Sequence, residues 1–245
     1  MIRVRSNFTP DTKIEVKHLD KGWFYLIIGL VMIGILGCLN RENSSSDFDQ
    51  SLSNTGKVSS KIQEDFYMTE AGHIVPEKAR KAIENTLDNV IEAIKQKDFQ
   101  KVALFVHPEK GVRFTPYTYV VPQSDIVLQK DQIANFFQDE TRYLWGYFDG
   151  TGDEIRLTPS EYYKRFIYSQ DFLNAEKIGY NEVLSFGNML ENQFEIYVRP
   201  IIVEYYFSGF NPDYGGMDWR SLRLVFEEYE GIWKLVGIIH NEWTI

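Results

Sequence analysis

From Gly22 to Asn40 the chain runs for nineteen residues without a charged side chain, and that run decides where the rest of the molecule can go. As a helix rising about 1.5 Å per residue, it just spans a hydrocarbon core of about 30 Å. Trp23 and Tyr25 stand at its N-terminal edge, where aromatic rings favour the membrane interface. Lys17 and Lys21 precede it, whereas Arg41 is the lone basic residue in the dozen that follow. That asymmetry holds the N-terminus in the cytoplasm and sends the C-terminal part across the cell membrane, to its extracytoplasmic side. The pattern predicts a lead-in and signal or anchor segment over 1–39, a flexible tether over 40–75, and one folded domain over 76–245.

Two readings of the apolar run stay open. One is a permanent single-pass transmembrane helix. The other is a cleaved signal, because Ile35-Leu36-Gly37-Cys38 resembles a bacterial lipobox, which implies Cys38 as the lipidated first residue of a mature lipoprotein. Gly37 fits the small residue before the cut. Leu36 and Ile35 depart from the usual choices, and the lead-in is long for a signal peptide. Either way the N-terminal segment, or a lipid on Cys38, makes the membrane a partner. Residues 40–65, rich in serine and asparagine, bury too little apolar area to offset ordering and read as a spacer.

Cys38 is the single cysteine, so the folded part has no disulfide, thiolate nucleophile or cysteine metal site. Formal net charge is -9 overall, and from residue 38 onward 21 basic face 32 acidic side chains. A surface of that sign repels phosphate backbones, which excludes nucleic acid as a partner.

Within the domain, Ala79, Ile83, Leu87, Val90, Ile91 and Ile94 recur at three- and four-residue steps behind Pro76, predicting an amphipathic helix over 76–97. Asp98 caps a second helix over 99–106. Extended chain follows over 112–121, then a short helix over 129–137 and a hairpin about residues 149–153. Thr158-Pro159-Ser160-Glu161 has the form of a capping box. The remainder reads as strands over 194–207, 219–228 and 232–243, the last two turned by Glu230-Gly231. Helices first and strands afterwards give an α+β fold with the helices on one side of a curved antiparallel sheet.

This layout resembles the NTF2-like, cone-shaped α+β fold. The segments from His107 to Tyr117, beginning His107-Pro108-Glu109-Lys110-Gly111-Val112-Arg113, and from Trp233 to Ile245, with Ile238-Ile239-His240-Asn241-Glu242-Trp243 inside it, are similar to those of uncharacterised secreted or lipid-anchored proteins of Gram-positive bacteria. Neither resemblance carries an activity, since NTF2-like domains host enzymes and binders alike.

The chemistry-bearing candidates are few. His107 and Arg113 flank a polar turn, and His240 lies two residues from Glu242 on the closing strand, so both point to one face. Facing Glu227 or Arg223 across the hairpin, they are expected to form a charged cluster inside the cone. No metal is expected: beyond residue 40 the histidines are His73, His107 and His240, without ligand spacing, and Asp149 to Asp153 lacks the later positions of a calcium loop. No cofactor is expected either, because phosphate-loop, dinucleotide and Gly-x-Ser-x-Gly patterns are missing. The aromatic load (15 Tyr, 17 Phe, 5 Trp) suggests an amphipathic cavity or an interface patch lined by Tyr117, Tyr119, Trp145, Tyr147, Tyr162, Tyr163, Tyr205, Tyr206, Tyr214 and Trp219. The expectation is therefore a non-enzymatic extracytoplasmic module that binds a small ligand, a peptide or an envelope protein, without a converging acid–base pair. The alternative is a small hydrolase or isomerase with a histidine–carboxylate pair in a cone-shaped pocket.

Overall fold

Helix α1, Pro76–Lys95, forms because its apolar residues fall on one stripe and its ends are chemically marked. Pro76 stands at the first helical position, Glu77 in the first turn and Lys95 in the last. The stripe is buried from Ala79 to Ile94, and each large aliphatic side chain removed from water there contributes roughly 1.5–3 kcal/mol. The computed structural model describes residues 68–244. The expected anchor, Cys38 and the tether up to residue 67 lie outside the described residues. Ahead of α1, Met68 and Ile74 form an antiparallel bridge.

Asp98 caps α2, Phe99–Val102, by accepting the Lys101 N–H at 2.9 Å, and a 3-10 turn, Ala103–Phe105, continues it. Strands β1, Val112–Thr115, and β2, Ile126–Leu128, precede the short helix α3, Lys130–Ala134. A separate hairpin joins β3, Tyr143–Tyr147, to β4, Glu154–Leu157. The capping box then forms as read: Thr158 accepts the Glu161 N–H, Glu161 accepts the Thr158 N–H, and α4 is Pro159–Tyr162. Instead of continuing to residue 168 as an α-helix, the chain widens into a π-helical turn over Tyr163–Ile167.

The rest is β5, Lys177–Tyr180; α5, Gln193–Ile196; β6, Ile201–Phe207; β7, Arg220–Tyr229; and β8, Ile232–Glu242. Strand 194–207 is half as long as its β-branched composition suggests. Pro200 removes a ladder donor, and Arg199 before it has φ 43°, so pairing starts only at Ile201. The β7–β8 turn is as expected, with φ positive at both Glu230 and Gly231.

The main sheet has the order β2-β1-β8-β7-β6-β5. Two features differ from the expectation. The sheet is mixed, because β1 runs parallel to β8, with Phe114 opposite Ile238. It also stays open, since β2 and β5 lie at opposite edges and do not meet, so no cone closes. The fold is α+β, with helices packed against this mixed sheet.

Both faces of the sheet are covered. On the helix face Leu222, Leu224, Phe226, Leu235 and Ile238 join the α1 stripe in the main core. Of the aromatic residues expected to line a cavity, Tyr117, Trp145, Tyr162, Tyr163 and Tyr205 are in that core instead, Trp219 is buried outside it, and Tyr119, Tyr147 and Tyr214 are exposed. Trp145 stacks on Tyr162 at 3.9 Å between centroids, and Phe114 meets Trp145 edge-on at 5.5 Å. Behind the sheet, residues 181–200 form a strap over Ile202, Val225, Val236 and Ile239, held in part by Asn192, whose amide exchanges two 2.8 Å hydrogen bonds with the backbone of Val120.

Candidate functional site

The position of His240 is set by one extra residue. From the turn to Phe226–Leu235 the β7–β8 pairs follow an unbroken hairpin, but the next pair is Val225–Gly237, so Val236 is a bulge. A one-residue shift moves every later side chain of β8 to the other face. His240 therefore pairs with Leu222 and faces the helices, whereas Arg223 pairs with Ile239 and faces the strap. The expected cluster of His240 with Glu227 or Arg223 does not form. Glu227 lies about 16 Å along the hairpin, five residues at about 3.3 Å each.

What His240 meets is Glu242 and two arginines. Its Nε2 is 3.3 Å from Glu242 Oε2. Glu242 also takes the Arg220 guanidinium, from its Cα partner on β7, and the Arg165 guanidinium from the π turn, with one contact at 3.1 Å. Phe166 of the same turn covers the ring edge-on at 5.5 Å, under the Arg165 guanidinium. His240 is wholly buried, Glu242 nearly so, and the arginines are half-buried. Burial holds the His240 pKa well below its ordinary value, helped by Arg165 and Arg220, while the Phe166 carbonyl pulls weakly the other way. The ring is thus neutral. An Nε2–H donated to Glu242 leaves Nδ1 as a buried lone pair, and Nδ1 has no hydrogen-bond partner among the described residues.

His107 and Glu227 occupy a different place. They line a cavity of about 720 Å³ between the start of α1, the β7–β8 hairpin tip and the turn after the 3-10 helix. His107 Nδ1 accepts the N–H groups of Glu109 and Lys110 at 3.2 and 3.1 Å, which forces its neutral proton onto Nε2. Burial and then Lys110 lower its pKa, against Glu227 and Glu109. Glu227 is taken up by Lys110 Nζ and by the Val198 N–H at 2.9 Å. Arg113 is outside both places and donates to the Pro122 carbonyl at 3.1 Å. The sequence reading paired His240 with Glu242 but missed Arg165 and Arg220.

No family model and no curated protein matches the chain. Among solved structures it is similar to a chain named Rd1NTF2_05 carrying five substitutions, at 14% identity over 67% of this chain and 97% of that one, with TM-score 0.29. It is also similar, at 14% identity over 66% of this chain and 85% of the other, with TM-score 0.27, to a calcium/calmodulin-dependent protein kinase II association domain from Xanthomonas campestris. Both likenesses are remote, and neither bears on chemistry.

The geometry corrects the functional expectation. A non-enzymatic module was to have an aromatic-lined cavity and no converging acid–base pair. Instead a histidine and a carboxylate converge at 3.3 Å in a water-excluded setting, and the cavity is walled by charged and apolar side chains together, with Tyr229 and Trp233 its only aromatic residues besides His107 among the described residues.

Proposed function

We propose that this chain is an acid–base enzyme, a small hydrolase or isomerase, with His240 as its proton-transfer group and Glu242 as the carboxylate that orients it. The observation that carries this reading is the unpartnered Nδ1 of His240 beside the Nε2 contact to Glu242. Buried polar atoms are normally satisfied, and an exception calls for a role. A lone pair fixed by a carboxylate on the other ring nitrogen is the arrangement a general base requires. In this mechanism Nδ1 takes a proton from substrate or water, Glu242 stabilises the imidazolium, and the proton returns to the leaving atom or a neighbouring carbon. Arg165 and Arg220 supply donors to a developing oxyanion. Because His240 is wholly buried, this mechanism requires the π turn carrying Arg165 and Phe166 to move aside for substrate; such turns recur at functional sites.

His107 does not serve this role. Its Nδ1 is occupied by two backbone donors, leaving it no free lone pair.

The test uses the full chain with 4-nitrophenyl acetate, for hydrolysis, and with pyruvate in heavy water, for proton exchange next to a carbonyl. Turnover above the blank in one assay is expected, with His240→Gln losing about 10²–10⁴-fold at unchanged circular dichroism. Turnover that survives His240→Gln, or none in either assay, counts against the reading.

The same proposal sets the domain outside the cytoplasmic membrane, tethered through the segment 22–40, and assigns the fold more finely to the NTF2-like class. Support for the first is the charge asymmetry about the apolar run; for the second, the helices-first order and the long closing hairpin. Among the described residues no helix is long and apolar enough to cross a membrane. Mass spectrometry of the membrane fraction separates the two anchors: a lipid on Cys38 favours the lipoprotein, an intact Met1 the transmembrane helix. The kinship with Gram-positive secreted proteins rests on the two peptide segments alone.

A further inference from the structure

We infer that the cavity at the β7–β8 hairpin tip binds a small organic monocarboxylate with an apolar or aromatic body. This site is separate from His240 and independent of the acid–base reading. The volume, about 720 Å³, is that of a small-molecule pocket. Its wall has two kinds of surface. Ile74, Val198 and Trp233 supply an apolar side, while Lys78, Lys81, Lys110 and Arg199 face Glu109, Glu227 and Glu228 around the rest.

The donors are not all spent within the protein. Lys110 is engaged by Glu227, and Lys81 by Glu77 at 3.0 Å. Arg199, by contrast, has no carboxylate partner among the described residues, and it is held at the cavity in a left-handed backbone conformation (φ 43°) that the following Pro200 further disfavours. Strain of that kind persists where the surroundings dictate it, often at ligand clamps. His107 adds a second donor. With Nδ1 fixed as an acceptor, its Nε2–H is left without an acceptor among the described residues, on a side chain that lines the cavity.

The charge of the ligand follows from the same inventory. Glu227 is already neutralised by Lys110 and the Val198 N–H, which removes it as a partner for a cation. A doubly charged phosphate would bring two charges to a wall that already holds Glu109 and Glu228 beside Glu227. A single carboxylate brings one charge to Arg199 and takes two donors, the Arg199 guanidinium and the His107 Nε2–H, and the body behind it covers Trp233 and Val198.

Isothermal titration of the full chain with 3-phenylpropionate, 3-phenylpropan-1-ol and 3-phenylpropylamine tests the assignment. The carboxylate is expected to bind at least tenfold more tightly than the alcohol, and the amine more weakly than either. Arg199→Gln, a change at an exposed side chain, is expected to weaken the carboxylate about tenfold and leave the alcohol unchanged. His240→Gln is expected to bind the carboxylate as the native chain does, so the two readings fail separately. Equal affinity for carboxylate and alcohol, preference for the amine, or an Arg199→Gln variant that binds unchanged would each overturn the inference.

Discussion

Arg220 and Glu242 are Cα partners across the β7–β8 pair, and their side chains meet on the face that carries Leu222 and Leu224. Because Arg165 and His240 converge on the same carboxylate, Glu242 compensates three groups at once. Glu242→Gln is expected to cost roughly 2–4 kcal/mol, toward the lower end of what breaking a buried pair costs, since both arginines can turn toward water. Arg220→Met leaves Arg165 on Glu242 and is expected to cost only about 1 kcal/mol. Urea unfolding checks both through the midpoint at constant slope.

His240 gives stability a definite pH dependence. Its native pKa lies well below the ordinary value because of burial, Arg165 and Arg220, while the unfolded chain binds a proton near pH 6.5. Stability from the neutral ring is complete above that pH and is lost as pH falls below it, since the unfolded state then takes up the proton first. His107 acts in the same direction. Urea midpoints should therefore fall between pH 7.5 and 5, and His240→Gln should flatten the decline more than His107→Gln. A rise in stability across that window would contradict the assignment of a neutral buried ring.

Tyr197 and Gly237 form a tight pair behind the sheet. A methyl group at Gly237 would press on the Tyr197 hydroxyl and stand 2.9 Å from its Cζ. The hydroxyl is buried and has no hydrogen-bond partner among the described residues. Tyr197→Phe is thus expected to be neutral or stabilising, because an unsatisfied polar atom is removed. Gly237→Ala is expected to lose about 1–3 kcal/mol by overpacking. Combined, the two changes should cost measurably less than Gly237→Ala alone, an interaction read from a double-mutant cycle.

The parts that sequence made legible are those set by local rules. The α1 stripe, the Thr158–Glu161 capping box, the Glu230-Gly231 turn and the shared face of His240 and Glu242 all follow from spacing within one element. What was hidden depends on partners far away in the chain. Counting back from the turn without the Val236 bulge puts Asn241 opposite Arg220 and His240 beside Arg223, which is why the expected cluster was the wrong one. The parallel β1–β8 pairing has no local signal, since an extended segment reads alike in either direction. Strand β5 was missed for the same reason: Lys177–Tyr180 is short, and its order comes from pairing with β6. The aromatic residues misled because bulk and polar tip suit a core as well as a cavity.

Arg223 shows how a polar alternation on one strand can hide a second packed layer. The sequence marks it as the outward side of β7, yet the strap buries it to 1% exposure against Glu204, at 0%, and Glu191. Burial alone would lower its pKa, but Glu204 and Glu191 outweigh that and the net direction is upward, so Arg223 stays charged. Glu204 ties the same cluster to the strap through the Leu184 N–H at 2.7 Å and the Ser185 hydroxyl. Glu204→Gln leaves a sealed guanidinium with one carboxylate and weakens the strap's attachment, for an expected loss of about 3–5 kcal/mol. Arg223→Met with Glu204→Leu removes both charges and should cost less than the sum of the single changes, because neither partner is then stranded. Amide exchange at Leu184 distinguishes the causes. Faster exchange in Glu204→Gln at denaturant-free conditions indicates that the strap lifts before the domain unfolds, whereas exchange that tracks global stability indicates that strap and sheet open as one unit.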